Sequence, residues 1–127
     1  MSNMKFFICD KCGAVAVLIK DAGAPLVCCG EVMKTLVPNT AEASAEKHLP
    51  LVAAADGGID VQIGAVPHPM EAKHHIEFVY VETGAGGQRK RLNAGDGPAA
   101  SFRFAADKPV AVYAYCNLHG LWKTFLS

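Results

Sequence analysis

Four cysteines fall in two pairs near the N-terminus, Cys9-Asp10-Lys11-Cys12-Gly13 and Cys28-Cys29-Gly30. Nothing else in the chain limits the folding of residues 1–37 so strongly. That stretch has too few large apolar side chains for a core, and units below about 40 residues need a metal or disulfides to hold a shape. Four thiols in two pairs suit a tetrahedral S₄ site for zinc or iron, and spacing alone does not choose between them. A glycine after each pair permits a turn with φ > 0 that aims backbone N–H groups at the sulfurs. Side chains of adjacent residues diverge, so the neighbours Cys28 and Cys29 predict some distortion from ideal tetrahedral geometry. Two surface turns carrying cysteine by accident would leave the pairing unexplained.

The start, Met1-Ser2-Asn3-Met4-Lys5, lacks a basic region followed by an apolar stretch, so no signal peptide is expected. Thiols then stay reduced in a cytoplasmic setting, and metal or catalytic use of cysteine outranks a disulfide framework. Twelve basic and twelve acidic residues cancel, which disfavours a nucleic-acid partner. No apolar run approaches the roughly 20 residues that span a bilayer, so no membrane partner is expected either. The 127 residues, 51% of them hydrophobic, suffice for a small domain and a modest one.

Residues 5–8 and 14–20 read as short strands around the first cysteine pair. Residues 37–46 are polar and alanine-rich and form the boundary, with domains at 1–37 and 38–127. Residues 40–46 could form a helical turn, too short to be stable alone. From residue 49 the pattern is β. Residues 49–54, the turn Asp56-Gly57-Gly58 and the alternating 59–63 give a hairpin signal. Residues 76–81, 88–92, 101–104, 110–115 and 121–125 follow as strands, separated by glycine- and proline-bearing turns. Seven short strands at this spacing predict an antiparallel β-sandwich of immunoglobulin-like kind.

The remaining cysteine lies in Tyr115-Cys116-Asn117-Leu118-His119-Gly120-Leu121-Trp122. Upstream stand Glu46-Lys47-His48 and His68-Pro69-Met70-Glu71-Ala72-Lys73-His74-His75. These segments read as loops or strand ends, and loops distant in sequence gather at one end of a sandwich. Alone, each histidine is an ordinary surface residue and Cys116 a small buried one. Jointly, His48, His68, His74, His119 and Cys116 offer four nitrogens and one sulfur. Zinc prefers four ligands. Blue copper on a β-sandwich wants a weak axial methionine beyond the second histidine, and none follows His119. Imidazoles with one thiolate suit iron with one position left open.

These motifs, from Cys9-x-x-Cys12 and Cys28-Cys29-Gly30-Glu31-x-Met33-Lys34 through the histidine segments to Cys116-Asn117-Leu118-His119-Gly120-x-Trp122-Lys123, resemble desulfoferrodoxin, the two-iron superoxide reductase family. The likeness spans nearly the whole chain in order. It implies a desulforedoxin-like (rubredoxin-like) N-terminal domain with iron on Cys9, Cys12, Cys28 and Cys29. It implies an immunoglobulin-like domain with a second, square-pyramidal iron, His48, His68, His74 and His119 equatorial and Cys116 axial. His75 is not a family ligand, and strand alternation turns it away from the iron.

The activity so implied is one-electron reduction of superoxide to hydrogen peroxide, in a homodimer supplied by rubredoxin or a similar electron donor. Lys47 would steer the anion, and Glu46 is the family's candidate for filling the open position at rest. Without the resemblance, Glu46 and Lys47 read as a solvated charge pair. Arg89-Lys90-Arg91 reads as a solvated edge strand before it reads as a docking patch. Two rival readings are an electron carrier with a blue-copper-like site and a zinc-stabilised binding module. Two irons per chain would exclude both.

Overall fold

The computed structural model describes residues 4–40 and 47–126. The chain divides into two compact units, Asn3–Val37 and a larger one taking in Pro38–Ser127. Among the described residues there is no helix. The segment 41–46, with Glu46 and most of the expected helical turn, lies outside them.

In the small unit, β1 (Phe6–Ile8) pairs with β2 (Val15–Val17) and β5 (Lys34–Leu36) in a three-stranded antiparallel sheet, ordered β2-β1-β5. β3 (Val27–Cys28) and β4 (Glu31–Val32) make a two-stranded hairpin. Only Phe6 and Cys9 are buried among the unit's described residues. A core of one aromatic ring and one thiol cannot offset the entropy of ordering such a chain. Salt bridges Lys34–Asp10 (2.6 Å) and Lys11–Glu31 (3.4 Å) are exposed and add little.

The larger unit has the seven strands its sequence predicts. β6 (Pro50–Ala55), β7 (Gly58–Ile63) and β10 (Ala99–Arg103) form one sheet in the order β10-β7-β6. β8 (Ile76–Thr83), β9 (Gly87–Arg91), β11 (Pro109–Cys116) and β12 (Gly120–Phe125) form the other, ordered β12-β11-β8-β9. All pairings are antiparallel. The period of two decides the core: Ile59, Val61 and Ile63 point inward while Asp60 and Gln62 are exposed. They meet Val79 and Val81 of β8, Val112, Ala114 and Cys116 of β11, and Phe102 of β10. β9 is an edge strand exposed along its length, and Arg89, Lys90 and Arg91 guard it against pairing with another chain.

Antiparallel registers fix which loops share an end. Pro50 pairs with Ile63, and Cys116 pairs with both Ile76 and Gly120. The entry to β6, the β7–β8 loop and the β11–β12 turn therefore gather at one end of the sandwich. Cys116 is the last residue of β11, because its backbone still pairs on both sides. His68 and His74 both precede β8, since that strand starts only at Ile76.

Candidate metal centres

Cys9, Cys12, Cys28 and Cys29 converge so that their sulfurs lie within 4.8 Å of one another. The Cys12–Cys28 separation is 3.6 Å and Cys28–Cys29 is 3.9 Å. Sulfurs at tetrahedral corners about 2.3 Å from a metal stand about 3.8 Å apart, so the spacing fits a bound ion. Cys29 has φ 54°, a left-handed conformation that lets adjacent side chains turn to one side. Gly13 and Gly30 take the positive φ their positions after each pair predict, 80° and 78°.

The protons of this cluster also call for a cation. The backbone N–H of Cys12 pulls the Cys9 thiol down to about 7. Contact with the Cys12 sulfur is the main cause that pushes Cys28 up to about 12, and it raises Cys29 as well. Cys28 and Cys29 therefore keep their protons at neutral pH and must release them to a metal. Loading this site at pH 7 should liberate at least about two protons per ion, read as a buffer-dependent heat of metal uptake. A heat independent of the buffer would contradict that assignment.

The second group joins His48 at the entry to β6, His68 and His74 in the β7–β8 loop, and Cys116 at the end of β11, again with ligand atoms within 4.8 Å of one another. His119, in the β11–β12 turn, closes the figure. Its Nδ1 lies 3.1 Å from His48 Nε2 and 3.7 Å from Cys116 Sγ. The four imidazoles form a closed ring in the order His48, His68, His74, His119. Neighbouring centroids are 4.8, 4.7, 5.0 and 4.9 Å apart, and the planes cross at 64–79°. Two nitrogens at right angles about 2.1 Å from an ion lie about 3.0 Å apart, which the His48–His119 spacing matches. His75 stands outside the group, its Nδ1–H donating to the Glu71 carbonyl at 3.0 Å.

Hydrogen bonds and burial give the same picture. His68 Nδ1–H donates to the Pro69 carbonyl at 2.7 Å, which leaves the Nε2 lone pair facing the ring. The Nε2 atoms of His68 and His74 are buried and have no hydrogen-bond partner. Orphaned buried nitrogens are costly unless something electrophilic meets them. Burial pushes His68 down to about 4 and lowers His74 too, so both stay neutral, as ligands must. Cys116 is 0% exposed, and burial raises its thiol while the N–H groups of Leu118 and His119 pull it back. Cys116 belongs to the apolar core cluster, whereas His119 is exposed and His48 half-buried, so the group reaches from the core to solvent.

Sequence reading assigned no role to two residues that shape this ring. Trp122 stacks on His48 with centroids 4.6 Å apart at 15°, and its Nε1–H donates to the His119 carbonyl at 3.1 Å. Gly64 has φ +86°, and a Cβ there would stand 2.4 Å from the Val66 carbonyl oxygen and 2.5 Å from that of Lys47. Both obstacles are backbone, one in the segment entering His48 and one in the loop leading to His68. Gly64→Ala should cost about 3 kcal/mol of stability and deplete metal from this centre but not from the four-cysteine site. Unchanged metal content would show that the ring does not depend on that close approach. Lys47 is exposed beside His48, and its charge is among those that lower His74.

A four-thiol unit followed by a β-sandwich with an imidazole–thiolate ring at one end defines a class, the small two-centre non-haem metalloproteins. Within that class, the chain belongs to the desulfoferrodoxin family. The family model described as desulfoferrodoxin matches residues 40–125. Desulfoferrodoxin of Nitratidesulfovibrio vulgaris is 41% identical over 122 residues, covering 96% of each chain. The desulfoferrodoxin homolog of Methanothermobacter thermautotrophicus is 41% identical over 118 residues, covering 93% of this chain and 95% of that one. The crystal structure of the superoxide reductase from Treponema pallidum superposes with a TM-score of 0.82 at 30% identity, over 95% of this chain and 97% of that one. The Giardia intestinalis 1Fe superoxide reductase aligns over 65% of this chain and 98% of its own, with a TM-score of 0.57 at 30% identity. Iron is the cofactor of the family, and both donor sets suit it.

Proposed function

We propose that this protein reduces superoxide to hydrogen peroxide at an iron held by His48, His68, His74, His119 and Cys116. The observation that carries this is the closed ring of four imidazoles, with the fully buried Cys116 beside it and His119 exposed. Relatives named superoxide reductase support it. When bound there, ferrous iron would supply the one electron that, with two protons, converts superoxide to peroxide.

The chain's own residues do the rest. Four imidazoles and one thiolate around ferrous iron would leave the centre a net positive charge, which favours an anion. Lys47 extends that field into solvent and raises the frequency of productive encounter. The Cys116 thiolate donates electron density from the buried side. Exposed His119 and half-buried His48 keep the other side wet, so water can deliver protons and carry peroxide away. Glu46, next to Lys47, is the residue proposed to occupy the open position at rest. Rubredoxin or a similar donor supplies electrons, and the protein works as a cytoplasmic homodimer. Thiolates that serve as metal ligands must stay reduced, which favours a reducing compartment.

Steering gives the test. Lys47→Ala should lower the second-order rate with superoxide about 3- to 10-fold and flatten its dependence on added salt. Pulse radiolysis across a range of ionic strengths reads both. A variant matching wild type at every salt concentration would remove Lys47 from the mechanism.

A further inference from the structure

Asn117 sits between two of the proposed ligands, yet its side chain turns to a third. The β8–β11 ladder has an irregularity between Tyr115 and Cys116: Tyr115 faces Phe78, but Cys116 faces Ile76. Beyond that step the pairing passes to Asn117. Its backbone N–H donates to the His75 carbonyl at 3.2 Å. Its Oδ1 accepts from the His75 N–H at 3.0 Å, and its Nδ2 donates to the Lys73 carbonyl at 3.0 Å. The partners fix the orientation of the amide, since an N–H must meet its oxygen and a carbonyl its NH₂. One side chain thus replaces a rung of ladder and holds the residues on both sides of His74.

The segment it holds is already closed on itself. Glu71 and His74 exchange both backbone hydrogen bonds, at 2.9 and 3.0 Å, and His75 Nδ1–H reaches back to the Glu71 carbonyl. A turn so tied moves as a unit. What sets its place against the strand carrying Cys116 is the Asn117 clasp.

We infer that Asn117 is a positioning residue that fixes His74 relative to Cys116, and through that pair sets the geometry and the hold of the metal centre. The inference rests on the iron reading above. Aspartate would keep the bond from the His75 N–H but set a carboxylate oxygen against the Lys73 carbonyl. Alanine would remove both side-chain bonds. Misplacing a ligand by losing the hydrogen bonds that orient it costs about 10- to 100-fold in metal affinity.

The test uses the full-length two-iron protein with Asn117→Ala and Asn117→Asp. In both variants ferrous iron should leave the histidine centre for a chelator about 10-fold faster or more. The thiolate-to-iron absorption of that centre should shift, while the bands of the four-cysteine centre stay put as an internal reference. The unfolding midpoint of the metal-free variants should fall less than that of the loaded ones. Wild-type release rates with an unmoved band would overturn the inference. So would equal destabilisation of metal-free and loaded protein, which marks a general structural role. Wild-type protein that loads iron only at the four cysteines would overturn the iron reading and this inference with it.

Discussion

Replacing Cys116 with alanine should lower superoxide reduction by at least about 100-fold and abolish the thiolate-to-iron band of the second centre, with the sandwich still folded. Cys116 is fully buried and belongs to the same apolar core cluster as Ile63, Val79 and Ala114, where alanine leaves only a small void. The folding cost should be on the order of 1 kcal/mol. The chemical cost is far larger, because the sulfur supplies the only anionic charge in the ring and the electron density behind the open side. Circular dichroism should show an intact sandwich, and the four-cysteine bands should remain. If the variant kept its colour and rate, Cys116 would be a core residue and nothing more, and the zinc-module reading would regain its place.

The second large effect concerns folding. Cys28→Ser should strip metal from the small unit and unfold it, with superoxide reduction by the larger unit retained within about 2-fold. With only Phe6 and Cys9 buried among its described residues, the small unit has almost no core. Ion binding in such units contributes about 10–16 kcal/mol, so the bound ion is the fold. Amide exchange should show residues 4–37 losing protection while strands β6–β12 keep theirs. Loss of activity in step with loss of that metal would instead give the first centre a place in the reaction.

Much of this was legible in the sequence, and the part that was not has a physical reason. A period of two marked Ile59, Val61 and Ile63 as a core face, and turn residues separated the seven strands. His75 does stay out of the ring beside His74, but both precede β8, and its bond to the Glu71 carbonyl rather than strand alternation turns it away. The sorting of the seven sandwich strands between the two sheets was not legible, because apolar alternation states which face is buried and not against which neighbour. The left-handed backbone at Cys29 was hidden because it serves the metal and opposes local preference. Trp122 on His48, Gly64 against Lys47 and Asn117 around His74 join residues far apart in sequence, so only the closed sandwich brings them together.

The most direct trial of the central claim is anomalous diffraction at the iron edge from crystals of the iron-loaded protein. It should show two irons per chain, one among four sulfurs and one bonded to His48, His68, His74, His119 and Cys116 with its remaining side open to solvent. A second iron that is missing, that lies away from Cys116, or that carries a permanent sixth side-chain ligand in the reduced protein would contradict the account.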